Sequence, residues 1–244
     1  MRIGLLSDTH GFLDDAVFHH FAECDEVWHA GDFGTTEVLD RLRAFKPVRG
    51  VYGNVDGSEL RADLPEDLVW ECEGLNVYMT HIGGYPGNYD RRAGKEVRRL
   101  RPGLFICGHS HILKVMRDQA LGLVHMNPGA CGHNGWHLVR TLLRFTVEGG
   151  KISGVQAIEL GPRGRGQPSE KQVEPRNGTA PGPASRHPAG TRRRSGGHRL
   201  QDPALDQPVY RAQIEDVGAG AGGYVHQVVH DRPLHRTEGM RHHR

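Results

Sequence analysis

The fold is decided by a stretch near the N-terminus, Arg2-Ile3-Gly4-Leu5-Leu6-Ser7-Asp8-Thr9-His10-Gly11. Its apolar run predicts a buried β-strand, and the run stops at a turn that carries a carboxylate and an imidazole. There follow a helical pattern over Leu13–Cys24, a strand at Glu26–Ala30, a helix at Thr36–Phe45 and a strand at Val48–Tyr52. This βαβαβ order predicts a parallel sheet and therefore an α/β fold.

The next hundred residues favour strands over helices. Short apolar runs alternate with turn residues, and one helical pattern stops at a Pro-Gly pair. The predicted elements are strands at Leu68–Cys72 and Asn76–Thr80, a helix at Arg91–Leu100, and strands at Leu104–Cys107, Ile112–Arg117, Leu123–Met126, Val139–Val147 and Ile152–Leu160.

Composition divides the chain near residue 161. All seven Phe, all three Trp and all four Cys precede residue 162. Residues 1–161 hold 17 Lys and Arg against 21 Asp and Glu, whereas residues 162–244 hold 14 against 8. The second part is rich in Arg, Gly and Pro and has too few large apolar side chains to offset the entropy of ordering. We therefore predict a folded domain, the one to examine for function, at 1–161 and a disordered low-complexity tail at 162–244.

Three interpretations of the tail stay open. It is a basic arm that contacts nucleic acid or an acidic membrane surface, a solvated linker, or the product of a frameshift in a GC-rich gene. The periodic pattern is already complete at Leu160, which favours the linker and the frameshift. The coding DNA near codon 161 would distinguish them.

The cysteines and the N-terminus bear on the compartment. The four cysteines are widely spaced without a C-x-x-C pair, which disfavours a disulfide framework or a zinc ribbon. The first apolar run is too short for a signal peptide, and no stretch approaches the roughly 20 apolar residues of a membrane span. We expect a cytoplasmic protein whose core does not associate with a membrane.

Polar side chains suited to metal binding follow five of the predicted strands. A turn or a helix cap accounts for each of them taken singly, but together they recur in order at strand ends, where α/β sheets collect ligands. Carboxylate, imidazole and amide groups without thiolate suit Mn, Fe, Zn or Co. The candidate metal ligands are Asp8, His10, Asp32, Asn54, His81, His109 and His111.

The order of these motifs resembles that of the calcineurin-like metallophosphoesterase superfamily. The segments Ser7–Gly11 and Asn127–Ala130 resemble those of its small bacterial and archaeal phosphodiesterase branch, and the resemblance covers about residues 1–160. It implies a four-layer αββα sandwich of two mixed sheets with helices on both outer faces. The motifs that carry it are Asp8-x-His10, Gly31-Asp32, Gly53-Asn54-x-Asp56, Thr80-His81 and Gly108-His109-x-His111.

The resemblance also implies a two-metal centre. One ion would be held by Asp8, His10 and His111, and the other by Asn54, His81 and His109, with Asp32 as the bridge. We expect two divalent cations, manganese first and Fe, Zn, Co or Ni as alternatives. Their shared hydroxide would attack a phosphodiester, or alternatively a phosphomonoester, in line. Asp32, Asn54 and His109 would act on the reaction through the metals.

One position departs from the pattern of many members. Val55 stands where they carry a histidine that helps to protonate the leaving group, although the small phosphodiesterase branch often lacks this histidine too. His133 and His137 are candidate replacements, with surface histidines as the alternative. Asp56 is a candidate for orienting the ligands, with a solvated turn residue as the alternative. The loop Ile82–Gly87 is expected to be flexible and to bind substrate through backbone N–H groups.

The same residues bear on two other functions, a binding scaffold and a nuclease. The superfamily includes a eukaryotic sorting-complex subunit that uses the fold for protein binding, so a metal-binding scaffold is the alternative to an enzyme. A DNA-repair nuclease is disfavoured by Val55 and by the acidic balance of residues 1–161. Because all seven ligand positions are filled, we expect a phosphoesterase with a small phosphoester substrate, as a homo-oligomer.

Overall fold

The computed structural model describes residues 1–136 and 138–163 and the short strand 209–211. Within those residues there are thirteen strands and four helices. The strands are β1 (Arg2–Leu6), β2 (Glu26–His29), β3 (Val48–Gly50), β4 (Asp67–Cys72), β5 (Leu75–Thr80), β6 (Gly84–Tyr85), β7 (Asn88–Tyr89), β8 (Leu104–Ile106), β9 (Leu113–Asp118), β10 (Leu123–Pro128), β11 (Val139–Glu148), β12 (Lys151–Pro162) and β13 (Val209–Arg211). The helices are α1 (Ala16–His20), α2 (Thr36–Phe45), α3 (Ser58–Asp63) and α4 (Arg91–Leu100).

The strands form two mixed sheets. The first has the order β13-β12-β11-β1-β2-β3, and its β1, β2 and β3 are parallel, as their βαβαβ sequence predicts. The second has the order β4-β5-β8-β10-β9, with β5, β8 and β10 parallel. Strands β6 and β7 pair separately as a small hairpin. The parallel strands thus form one side of the first sheet and the centre of the second.

Apolar side chains pack on both faces of each sheet. Ile3 and Leu5 of β1 are buried between the sheets with Met79 and Ile106 of the second sheet. Leu6, the next residue along β1, points the other way because side chains alternate along a strand. It belongs to the layer formed by α1 and α2, whereas α4 covers the outer face of the second sheet. This arrangement is the expected four-layer αββα sandwich.

The ends of the predicted strands lie within two residues of the observed ones, and larger differences occur at three places. Helix α1 begins at Ala16, not Leu13, because the Asp14 carboxylate accepts a hydrogen bond from the Ala16 N–H at 3.0 Å and forms a turn there. The short helix α3 (Ser58–Asp63) was not predicted, since six residues give too few repeats for a periodic signal. The segment Ile82–Gly87, expected to be a flexible loop, instead contributes β6 to a hairpin.

The C-terminal prediction is largely outside the described residues. Strand β12 ends at Pro162, one residue past the predicted boundary, and β13 (Val209–Arg211) pairs antiparallel with it. The disordered tail at 162–244 stays a prediction. In the part of the chain that the structure describes, no helix is long and apolar enough to cross a bilayer.

Candidate metal centre

The predicted ligands come from both sheets and meet at one edge of the sandwich. The first sheet contributes the residues that follow β1, β2 and β3, and the second those that follow β5 and β8. Two groups of side chains come close enough to share a cation: Asp8 with His10 and His111, and Asp8 with Asp32 and His81. Each group spans residues that are far apart in the chain.

In the first group a carboxylate oxygen faces two imidazoles. Asp8 Oδ1 lies 3.1 Å from His111 Nε2 and 3.9 Å from His10 Nε2. The two Nε2 atoms of His10 and His111 are 3.2 Å apart. Three donor atoms therefore surround one point, as the metal prediction requires.

In the second group His81 faces an acid and an amide. His81 Nε2 lies 3.2 Å from Asp32 Oδ2 and 3.1 Å from Asn54 Oδ1. Asp32 Oδ2 also lies 3.9 Å from His10 Nε2, and Asp8 Oδ1 lies 3.9 Å from His81 Nε2, so each carboxylate faces an imidazole of both groups. The His109 ring is edge-on to that of His81, with the centroids 5.3 Å apart. All seven predicted ligands thus lie on adjoining loops.

The buried Asp8 carboxylate tests whether a cation fits here. Its Oδ2 accepts hydrogen bonds from Ser7 Oγ at 2.6 Å and from the His109 N–H at 3.2 Å. Its Oδ1 is buried and accepts no hydrogen bond among the described residues. A buried unpaired acceptor costs about 1–3 kcal/mol, and more if charged. A divalent cation between Oδ1 and the imidazoles removes that penalty, so the residues fit the metal.

The tautomer of His81 supports the same conclusion. Its Nδ1–H donates to the Ala30 carbonyl at 2.8 Å, which leaves the Nε2 lone pair of the neutral ring directed at the oxygens of Asp32 and Asn54. Three lone-pair-bearing atoms repel one another unless a positive charge lies between them. Ligand imidazoles are commonly fixed by such a bond from the second ring nitrogen.

Backbone strain is concentrated at the same place. Among the described residues, seven that are not glycine have positive φ, and five of them are predicted ligands. Such conformations cost about 1–3 kcal/mol each and persist where the surroundings fix them, which is typical of functional sites. The strained ligands are Asp8, His10, Asp32, His109 and His111.

Two glycines allow the strand ends to approach one another. A Cβ at Gly31 would lie 2.5 Å from His81 Nδ1, and one at Gly53 would lie 2.0 Å from Asp32 Oδ1. Both distances are far below ordinary contact, so only glycine fits at these positions. The Gly residues before the predicted ligands therefore serve close packing of the loops.

Two side chains behind the ligands hold the loops. The Asp56 carboxylate accepts hydrogen bonds from the N–H groups of Gly34 and Gly53, both at 2.7 Å, and it is buried. The solvated-turn alternative for Asp56 is therefore wrong, and its contacts are with backbone and not with imidazoles. Asn127, to which the sequence assigned no role, donates from Nδ2 to the Gly108 carbonyl at 2.8 Å.

The electrostatics of the centre favour positive charge. Burial lowers the pKa of His81, but the carboxylates of Asp32 and Asp8 outweigh it and hold that pKa above its usual value. Burial lowers the pKa of both His10 and His109. Neutral imidazoles are the form that binds metals, and the carboxylates attract a proton or a metal cation to the same point.

The structure describes one of the two predicted replacement proton donors, His133. Val55 is exposed and has no proton to give, although its N–H donates to Asp32 Oδ1 at 3.0 Å. The Nδ1–H of His133 donates to the Arg163 carbonyl at 2.6 Å, and its ring contacts Phe12. His137 lies outside the described residues.

A cavity of about 440 Å³ adjoins the second group of ligands. Arg61, which the sequence did not single out, is fixed on its wall by hydrogen bonds to the carbonyls of Asp56, Gly53 and Asn54 at 2.6–3.2 Å. Its guanidinium also lies over the Tyr52 ring. The cavity is lined by Tyr52, Gly53, Asn54, Arg61, Glu66, Thr80, His81, Ile82, Asp90 and Arg92.

Comparison with known proteins identifies the family to which this fold and this set of candidate ligands belong. Residues 1–150 match the calcineurin-like phosphoesterase superfamily domain, and the chain belongs to that family. It is 29% identical over 137 residues to a probable metallophosphoesterase of Methanothermobacter thermautotrophicus. The aligned region covers 53% of this chain and 77% of the relative. The family and this relative indicate a metallophosphoesterase hydrolase.

Two solved structures share the fold. One is a novel archaeal phosphodiesterase, with a TM-score of 0.50 and 21% identity over 66% of this chain and 100% of that chain. The other is wild-type Vps29 from Entamoeba histolytica complexed with Zn²⁺, with a TM-score of 0.53 and 20% identity over 66% of this chain and 93% of that chain. At these identities the likeness concerns the fold alone.

Proposed function

We propose that this protein is a dinuclear metal-dependent phosphodiesterase, with manganese as the expected metal and phosphomonoesters as a lesser substrate. The observation that carries the proposal is the buried Asp8 Oδ1, which faces two imidazoles and has no hydrogen-bond partner among the described residues. Two divalent cations supply activation of the attacking water and neutralise the phosphoryl oxygens. The first would be held by Asp8, His10 and His111.

The second cation would be held by Asn54, His81 and His109, with Asp32 between the two. Asp32 is suited to that position because its Oδ2 faces both His10 and His81, while its Oδ1 is held by the Val55 N–H. The Ala30 carbonyl keeps the His81 lone pair directed at the centre. The ligands are thus oriented before substrate arrives, which reduces reorganisation during the reaction.

The leaving group is expected to depart with little help from the protein. Val55 supplies no proton, and the Nδ1 proton of His133 is donated to a backbone carbonyl. The enzyme should therefore prefer esters with acidic leaving groups, such as aryl esters. The adjoining cavity, which Arg61 and Arg92 help to line, has the size of a small-molecule site and lies beside Asn54 and His81, so it would hold one substituent of the phosphate.

The competing proposal is a metal-binding scaffold with little activity. The full set of seven ligands and the strain stored at five of them favour catalysis, since protein binding requires neither. A scaffold would bind cations through the same residues, so metal binding by itself does not separate the two. Turnover does.

The experiment uses the full chain, loaded with Mn²⁺ and assayed on bis(p-nitrophenyl) phosphate. Asp32→Asn keeps the shape of the side chain and removes its charge. Loss of a group that only orients a metal ligand costs up to about 100-fold, so loss of a ligand itself should reduce kcat/KM by at least about 100-fold. Asp40→Asn, on the exposed side of α2, is the matched control and should leave it unchanged. If Mn, Fe, Co and Zn all bind and none supports turnover, the scaffold is the better proposal.

A further inference from the structure

Exposed apolar side chains surround the proposed metal centre. Val55, Ile82 and Ile112 each come directly after a predicted ligand in the chain, and Phe12 comes two residues after another. All four are large apolar side chains exposed to solvent. Because the ligands converge within a few ångströms, residues adjacent to them in sequence must lie around the same point.

A fifth residue joins them from a different loop. Trp136 is 99% exposed and follows Gly135, which packs so closely on His111 that an added Cβ would lie 1.9 Å from Nδ1. We name Phe12, Val55, Ile82, Ile112 and Trp136 the apolar rim. Ile82 also lines the cavity beside Asn54 and His81, so the rim and the cavity are continuous.

The concentration of these residues at one place is informative. Among the described residues only three other large apolar side chains are exposed, namely Val69, Tyr85 and Leu138. Of the three, Val69 lies on the edge strand β4 opposite Tyr78, and no predicted ligand adjoins it in the chain. Scattered exposed apolar residues need no explanation, but a cluster around a catalytic centre marks a binding surface.

We propose that the rim binds apolar substituents of the substrate, so that the preferred substrates are phosphoesters with alkyl or aryl groups next to the phosphate. The proposal rests on the proposed function, because a phosphoryl group held at the metal centre must extend its substituents across the rim. Charged or strongly hydrated substituents that extend across the rim, and not into the cavity lined by Arg61 and Arg92, would lose hydration without a polar partner. Apolar substituents would instead remove both their own surface and that of the rim from water.

The test is a homologous series of alkyl p-nitrophenyl phosphates, methyl, butyl and hexyl, which share one leaving group. A methylene that becomes fully buried raises kcat/KM by about fourfold, so partial contact over five methylenes should give the hexyl ester at least a tenfold advantage. Trp136→Ala and Ile112→Ser should each reduce the hexyl-to-methyl ratio. Val69→Ser is the control and should leave the hexyl-to-methyl ratio unchanged. Val55→Ser is its matched rim variant, because the side chains of Val55 and Val69 are 50% and 53% exposed.

The outcomes separate this proposal from the proposed function. Equal kcat/KM for the three esters, or a ratio unaffected by the rim variants, overturns the role of the rim but leaves the phosphodiesterase intact. If no ester is hydrolysed, the proposed function fails, and calorimetry with dihexyl and dimethyl phosphate still reports on the rim: equal binding overturns it. A third outcome is a protein dimer that the rim variants abolish, together with kcat/KM values that do not depend on the length of the alkyl group. The rim would then bind a second copy of the protein, which also overturns the proposal.

Discussion

Gly53→Ala should disrupt the metal centre without removing any ligand. The new Cβ would lie 2.0 Å from Asp32 Oδ1 and 2.4 Å from the Asp32 backbone nitrogen, whereas ordinary contacts are 3.4–4 Å. Because one of these atoms belongs to the backbone, rotation of the side chain cannot relieve the clash. Asp32 and the Gly53 loop must separate by about 1 Å, and Asp32 is the carboxylate that faces both His10 and His81.

The size of the effect follows from that displacement. Overpacking of this kind costs about 1–3 kcal/mol of stability. A misplacement of about 1 Å at a catalytic centre reduces turnover by about 100-fold. Gly57→Ala is the matched control, since nothing lies within 4 Å of its Cβ and its φ of −74° and ψ of 179° suit alanine. As the N-cap of α3, it should lose no more than about 1 kcal/mol.

Calorimetric titration with Mn²⁺ and kcat/KM for bis(p-nitrophenyl) phosphate measure the two effects, with circular dichroism as the check of folding. Gly53→Ala should remain folded, bind Mn²⁺ more weakly and turn over about 100-fold more slowly. Gly57→Ala should match the wild type in both assays. A folded Gly53→Ala protein that binds Mn²⁺ with unchanged affinity would refute the placement of Asp32 between the metals.

Two further predictions concern residues outside the ligand set. The ring nitrogens of His125 are buried without hydrogen-bond partners among the described residues, and burial lowers its pKa to about 3. Between pH 6.5, the ordinary pKa of histidine, and pH 3, the unfolded chain binds more protons at this side chain than the folded protein does. The free energy of unfolding therefore decreases as the pH falls through this window, by at most about 1.4 kcal/mol per pH unit. His125→Phe should flatten urea-derived stability between pH 6.5 and 4 and add about 1–3 kcal/mol at pH 7.5, and an unchanged slope would contradict this. Asn127→Ala removes the bond to the Gly108 carbonyl and should lower kcat/KM or Mn²⁺ affinity by about 10–100-fold. Asn76→Ala, at an exposed position of the otherwise buried strand β5, should change neither. Equal effects of the two would exclude a positioning role for Asn127.

Much of the fold could be predicted from local patterns. Helices α2 and α4 have the predicted bounds, Thr36–Phe45 and Arg91–Leu100, because each has ten residues and clear end signals. The Asp90 side chain accepts hydrogen bonds from two N–H groups of the first turn of α4, which fixes where that helix starts. Short elements were less predictable: α1 has less than half of the expected length and α3 was missed.

The sequence by itself determined which side chains are offered at the strand ends, because a strand followed by Asp, His or Asn is a local feature. It could not determine which strand ends face one another, since nothing in a strand's own residues says that β5 and β8 belong to a different sheet from β1 and β2. Only the packing of the two sheets brings His81 of one against Gly31 and Asp32 of the other. That packing leaves Asp8 Oδ1 buried without a hydrogen bond among the described residues, and such an unpaired buried acceptor is the physical reason why a cation fits at this edge of the sandwich.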